Sequence, residues 1–396
     1  MTHSLSKVLT WILLAIALAY LLLKTVFLQQ DAIDFKYFWL AGHIWSMGDN
    51  PYSQTFWDLG EEMFVGTNRP RTFFYPPNWW AIAVPFSAVD YGLSSVFWRL
   101  LSGLMVVAGC AVALSAHHNR VQTLSPLIWA ATVAFASLMT ATAVNLALGQ
   151  TSAVVFLATA CFLAGFLKDH RPLMILALVL LTLKPTVGIL FWVFLVAFPR
   201  WWPTMAISTG IVLVLCLPAF VTSGPVTVLV SYLKGLGAHG SLAPNAPPNM
   251  TGLRNLTYTL TGAELSVLLL TALGCMVFIA LALRFRAAPE TESRDRALLI
   301  GTLLACLSVI SPLHVYDSTL LALLIPLAFT LPPTGRLIAL TALAAAFRPN
   351  NLATVLSFGN GGGLLTGAGI LSLSTIVLAV VFGAALLRDH RFLVSN

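Results

Sequence analysis

A few polar residues interrupt an otherwise apolar chain, and their types suit acid–base and anion chemistry. Asp31 and Asp34 follow the first apolar run. Arg69 and Arg71 flank Pro70, Gln150 follows Gly149, and Lys184 stands alone before Pro185. Asn249, Arg254, His314, Asp317 and Arg348 come later. Polar groups at membrane depth are costly and are functional candidates by default. Asp34 lies in an aromatic stretch, DFKYFW, where loss of water raises a carboxylate's basicity and suits it to take a proton. Its alternative role is to cap a helix starting at Phe35. Asp31 could share its face if that helix extends back. Lys184 could meet a phosphate or snorkel to the interface. His314, after Ser311-Pro312, could bind phosphate or position a hydroxyl, and Arg71 could contact a phosphate. Asn249-Met250-Thr251 also fits a glycosylation acceptor pattern, which recurs by chance.

These residues need elements to bring them together. The chain is 58% hydrophobic and only 9% charged, with a mean hydropathy of +0.89. A soluble domain carries about 25% charged residues, so this is an all-α polytopic membrane protein. Spans of about 20 residues allow about 12 membrane helices. The formal charge of +7 reflects Lys and Arg at cytoplasmic helix ends, not affinity for nucleic acid. The five cysteines lie in apolar runs without metal-ligand spacing and predict neither disulfides nor a zinc site.

Loop charge sets the topology. A first span over about 8–28 reads as an uncleaved signal anchor with a cytoplasmic N-terminus. The first outer loop, 29–91, carries juxtamembrane helices near 34–47 and 54–65 and a short surface or re-entrant helix near 78–88. Spans near 92–115, 125–143 and 151–167 follow. The run 172–199 has basic residues at both ends and a Lys184-Pro185 break, which predicts a hairpin of two short helices. After a span near 203–221, a second outer loop covers 222–262, and five further spans follow. Every clearly basic loop, including Arg284 to Arg296 and Arg388 to Arg391, then lies inside. The polar candidates fall together on the outer side of one integral membrane domain, 1–396.

Asp34-Phe35 with Tyr37, Gly48, Asn50-Pro51-Tyr52, Tyr75-Pro76-Pro77 and Pro85-Phe86 resemble glycosyltransferase family 87. Gly149-Gln150, Leu183-Lys184-Pro185, Asn249 with Thr251-Gly252-Leu253, and Ser311-Pro312 with His314 extend the likeness over about residues 30–320. The resemblance implies a GT-C-type bundle and transfer of a mannose- or arabinofuranose-type sugar from a polyprenyl-phosphate donor. The acceptor would be a glycolipid or cell-envelope glycan at the outer face of the cytoplasmic membrane. It implies Asp34 as general base, inversion, no metal and no other cofactor. Lys184, His314, Arg71, Arg254, Gln150, Tyr75 and Asn249 would line the substrate site. Thr251 replaces a usual serine, and HVYDST with Asp317 replaces an extra histidine or tryptophan, which leaves the sugar open. The competing classes are a transporter or flippase of a lipid-linked sugar and a non-catalytic assembly factor.

Overall fold

The computed structural model describes residues 3–27, 31–64, 66, 69–120, 123–240, 242–286, 293–356 and 363–389. Leu28, residues 287–292 of one basic loop and His390-Arg391 of another lie outside them. Among the described residues the chain is helical throughout, with one isolated bridge between Met250 and His314.

Helix α1 (His3–Val26) is apolar around most of its circumference and stays largely uncovered, as suits a lipid-facing span. The chain then forms a compact juxtamembrane unit. It consists of α2 (Ile33–Ser46), α3 (Gln54–Met63) and α4 (Trp80–Ser87), the last preceded by a 3-10 turn at Pro77–Trp79. Helix α2 stops where Gly48 takes φ +77°, and Ser53 caps α3 by accepting from the Thr55 N–H. Phe35, Phe38, Phe56, Phe73, Trp79 and Trp98 are fully buried between these helices and the next. Phe38 lies 4.3 Å from Trp79, and Phe35 stacks on Trp98 at 5.7 Å. A fully buried aromatic contributes about 1.5–3 kcal/mol, so six rings supply on the order of 10 kcal/mol. The partly exposed Arg69–Glu61 pair adds at most about 1 kcal/mol. Rings, not charges, hold this unit together. Gly42 lets α2 lie directly on α4, since a Cβ there would sit 2.1 Å from the Ala83 carbonyl oxygen.

Helices α5 (Tyr91–Arg120), α6 (Pro126–Leu138), α7 (Thr140–Leu148) and α8 (Ser152–Lys168) follow. Helix α8 is buried on nearly every face and forms the centre of the bundle. The third span is not continuous as expected. It bends by 48° where Met139 takes an extended ψ of 152°. The carbonyls freed there are satisfied: Thr142 Oγ1 donates to Ala136 O at 2.5 Å, and Arg348 Nη2 donates to Leu138 O at 3.3 Å.

The expected hairpin is present as α9 (Arg171–Leu181) and α10 (Pro185–Val196). Both of its feet stand at the same end of the bundle. Asp169, at the C-cap of α8, lies 3.0 Å from Arg200 just after α10, and its other oxygen accepts from Arg296 at 3.1 Å. The tip, residues 182–184, reaches the opposite end and is pinned there. Asn78 Nδ2 donates to Thr182 Oγ1 at 2.7 Å, and Trp79 Nε1 donates to Leu183 O at 3.0 Å.

Helix α11 (Trp202–Ser223) returns to the tip end. The stretch expected as a second outer loop is largely helical, with α12 (Pro225–Gly240), two 3-10 turns and α13 (Leu253–Thr261). Helices α14 (Val267–Arg286) and α15 (Ser293–Ile310) follow, and of these α14 is long and apolar enough to cross a membrane. A nine-residue 3-10 helix, Val315–Leu323, then continues directly into α16 (Leu324–Ala328). Runs of 3-10 helix this long are uncommon, and at about 2.0 Å per residue this one covers distance with few residues. It packs against the broken α6/α7 span, where Thr142 and Thr319 hydroxyls meet at 3.4 Å. Helices α17 (Pro333–Phe347), α18 (Pro349–Leu356) and α19 (Gly367–Asp389) complete the described fold.

Among the described residues five helices are long and apolar enough to cross a membrane, or six with the bent pair. Five other apolar helical segments run only 10–17 residues. At 1.5 Å per residue most of those α-helices fall short of a hydrocarbon core of about 30 Å. Hydropathy alone, which suggested about 12 spans, does not reveal this shortness. The result is a multi-pass membrane protein whose short and broken helices converge on one end.

Candidate active site

Asp34 occupies the first turn of α2, but its side chain does not cap that helix. It turns instead to Gln150, whose Nε2 donates to Asp34 Oδ2 at 2.7 Å. Gln150 can reach it because Gly149 ends α7 with φ +69° and lies flat on α2. A Cβ at that position would stand 2.7 Å from the Phe35 Cβ. Burial raises the Asp34 carboxyl from 3.8 to about 6, against the lowering effects of the Gln150 hydrogen bond and the Lys184 charge. The carboxylate is thus paired with a neutral amide, half-buried, and more basic than usual.

Asp31 does not share this face, because α2 begins at Ile33 and leaves it outside the helix. It is ion-paired with Lys36 and accepts from Tyr91 OH at 3.2 Å. Asp31 therefore ties the start of α2 to α5.

The second carboxylate, Asp317, is in the opposite condition. It is 2% exposed and sits three residues into the 3-10 turn that starts after His314. Oδ1 is ion-paired with Lys184 and accepts from Ser152 Oγ at 2.5 Å, while Oδ2 accepts from the His314 N–H at 3.1 Å. Lys184, the N-terminal residue of the α10 turn, thus neither snorkels nor stands free.

His314 stacks on Tyr316 with centroids 4.9 Å apart, and its Nε2 donates to Asn245 Oδ1 at 2.9 Å. Asn245 Nδ2 in turn donates to His239 O at 2.6 Å, which fixes the orientation of the amide. Burial lowers the affinity of His314 for a proton, partly offset by Asp317. His239 lies flat on Phe74, 3.5 Å between centroids, and burial with the nearby His314 and Lys184 charges brings it down to about 4. Both imidazoles are therefore neutral near pH 7.

Arg254, on α13, is 8% exposed and its charge is felt by His314. Its Nε has no hydrogen-bond partner, and among the described residues no carboxylate pairs with it. Tyr75 packs on Phe38 at 4.3 Å, and burial together with the Asp34 charge holds its phenol well above the usual range. It is a neutral donor facing both carboxylates.

Sequence candidates thus divide into two groups. Asp34, Gln150, Lys184, His314, Arg254 and Tyr75 come together. Arg71 stays at the rim, exposed, with its guanidinium 5.3 Å above the Trp57 ring. Asn249 meets the site only through its backbone, which bonds His314, while its exposed side chain donates to Ala243 O at 3.1 Å. The asparagine whose side chain meets His314 is Asn245, four residues earlier in the same NAPPN run. Asn245, His239 and Ser152 had no signal of their own in the sequence. The i, i+3 spacing of His314 and Asp317 at a helix start was the one legible sign of their contact.

The arrangement can do two things chemically. One half-open carboxylate can take a proton, and a neighbouring buried arginine among neutral histidines can stabilise an anion. No curated protein matches the chain at a significant level. The sequence matches glycosyltransferase family 87 over residues 73–312, more than half its length. That stretch contains Gln150, Lys184, Asn249 and Arg254, whereas Asp34, His314 and Asp317 fall outside it. The chain belongs to glycosyltransferase family 87 and is a membrane glycosyltransferase.

Proposed function

We propose that this enzyme transfers a mannose- or arabinofuranose-type sugar from a polyprenyl phosphate to a hydroxyl of a glycolipid or cell-envelope glycan. The observation that carries the reading is the pairing of Asp34 with a neutral amide, which leaves its carboxylate basic and half-open, in a cluster where Arg254 acts on His314 and has no carboxylate partner among the described residues. The acceptor oxygen attacks C1 of the sugar from the face opposite the phosphate. Its proton passes to the Asp34 carboxylate. The bond between C1 and the phosphate oxygen breaks, with both electrons left on the phosphate, and the anomeric centre inverts. Arg254, with His314 and Lys184 beside it, faces the charge that grows on the phosphate.

The active-site end would lie outside the cytoplasmic membrane and the N-terminus inside. Arg200, Arg296 and Arg336 support this orientation, because they gather at the end away from Asp34 and basic residues favour the cytoplasmic side. The test is purified protein offered a panel of polyprenyl-phosphate sugars with a glycolipid acceptor, with release of polyprenyl phosphate as the readout. Release that requires Asp34 supports the reading, and no release from any donor overturns it.

A flippase of a lipid-linked sugar draws on a different observation, the 48° break between α6 and α7 beside a buried ion pair. Movement of the lipid-linked sugar across liposomes that hold no acceptor would favour that alternative.

A further inference from the structure

Asp317 is buried, charged and in contact with three separate parts of the chain, yet the proposed reaction gives it no step. It accepts from Ser152 at the start of α8, from Lys184 at the hairpin tip and from the backbone of His314. A buried charge is retained only where it is well paired, and an ionised carboxylate offers about four acceptor positions. Three are filled here from within the protein, so Asp317 is poorly placed to take a proton from a substrate. Its contacts have two consequences. They join the three elements that carry Lys184, His314 and, through Ser152 and its neighbour Gln150, the partner of Asp34. They also cancel the charge of Lys184, whereas nothing described cancels that of Arg254.

We propose that Asp317 is the positioning residue of this site, fixing Lys184 and His314 in one geometry and neutralising the lysine so that Arg254 is the cation left to receive the departing anion. The inference rests on the reading of Asp34 as base. Tyr37, on the same helix as Asp34, and Tyr75, Tyr91, Tyr316, Gln150, Lys184 and Asp317, on other elements, make up the titratable and polar surroundings of Asp34. Lys184 already lowers the Asp34 carboxyl, and Asp317 offsets that lysine. Loss of the Asp317 charge should therefore leave Asp34 more acidic.

The experiment uses the full chain in lipid nanodiscs with a polyprenyl-phosphate sugar as donor. In Asp317→Asn, kcat should fall about 30–100-fold, the KM for donor should stay level or drop, and the acid limb of the pH–kcat profile should move down by about 0.5–1 pH unit. Asp317→Glu, which keeps the charge, should hold the limb at the wild-type position. Simple damage to folding would lower the active fraction and leave the limb where it was. A second measurement needs no turnover: Lys184 should react faster with a small amine-acylating reagent in Asp317→Asn than in wild type, as read by peptide mass spectrometry. An unmoved limb, or equal labelling rates, overturns the proposal. If wild type releases no polyprenyl phosphate from any donor, the base assignment fails, and the labelling rates still decide whether Asp317 holds Lys184. Should Asp317→Asn fold too poorly to assay, the neutral pair Lys184→Met with Asp317→Asn replaces it. An acid limb within about 0.3 pH unit of wild type supports the charge cancellation, and a displaced limb overturns it.

Discussion

Asp34→Asn separates chemistry from folding more cleanly than any other change in this molecule. Asparagine has the shape of aspartate and keeps an oxygen to accept from Gln150 Nε2, so the 2.7 Å contact survives. What is lost is the base. General-base catalysis contributes about 10²–10⁴-fold, or about 3–5 kcal/mol of barrier, so kcat should fall by that factor with little change in KM. The wild-type profile should bend near pH 6, because the active carboxylate is lost as pH falls through about 6. Stability should move the other way. A carboxyl raised from 3.8 to about 6 binds its proton more tightly in the folded protein, so its contribution is greatest at low pH and is lost as pH rises from about 4 to about 6. Two pH units correspond to about 3 kcal/mol, and partial exposure of the group reduces this to about 1–2 kcal/mol. The uncharged variant escapes that cost, so its Tm at pH 8 should equal or exceed wild type by a few degrees, with the gap closing towards pH 4. The assay pairs polyprenyl phosphate release with thermal unfolding of the purified protein. Activity within tenfold of wild type would refute the base assignment, and lost activity with a lowered Tm would refute the reasoning about burial.

Three further changes probe the same geometry. Gln150→Leu removes the hydrogen bond that holds the Asp34 carboxyl down, so the acid limb should rise by about 1 pH unit and kcat at pH 6.5 should fall about threefold. Gly149→Ala forces a side chain into a left-handed position 2.7 Å from Phe35 Cβ, and should cost about 2–4 kcal/mol in thermal unfolding. Arg254→Gln removes the uncompensated cation and should weaken inhibition by added polyprenyl phosphate about 10–100-fold, measured as a rise in the product inhibition constant.

The juxtamembrane unit was readable from the chain because its signals are local. Aromatic residues at helical spacing and a stop at Gly48, Asn50 and Pro51 each act within a few residues. The hairpin was readable for the same reason, since Lys184-Pro185 breaks any helix and both flanks are basic. The break at Met139 carries no Pro or Gly. It depends on Thr142 and on Arg348, a residue 210 positions away, and so has no local signature. Asp34 and His314 could be named from their types and surroundings. The partnership of Lys184 with Asp317 could not, because it joins two residues that each looked solitary. The choice of Asn245 over Asn249 likewise depends on how two successive 3-10 turns direct the chain past His314.

That same partnership has a consequence in the time of synthesis. Lys184 and Asp317 are 133 residues apart. A ribosome adding about 5–20 residues per second makes the lysine roughly 7–27 s before its counter-ion. Throughout that interval the hairpin tip carries an amine with no carboxylate to meet it, and the Asp34 helix already waits on the same side. The tip cannot adopt its final depth until the Val315–Leu323 segment arrives. The centre of this enzyme therefore settles late in biogenesis, only after helices α1 to α15 have been made.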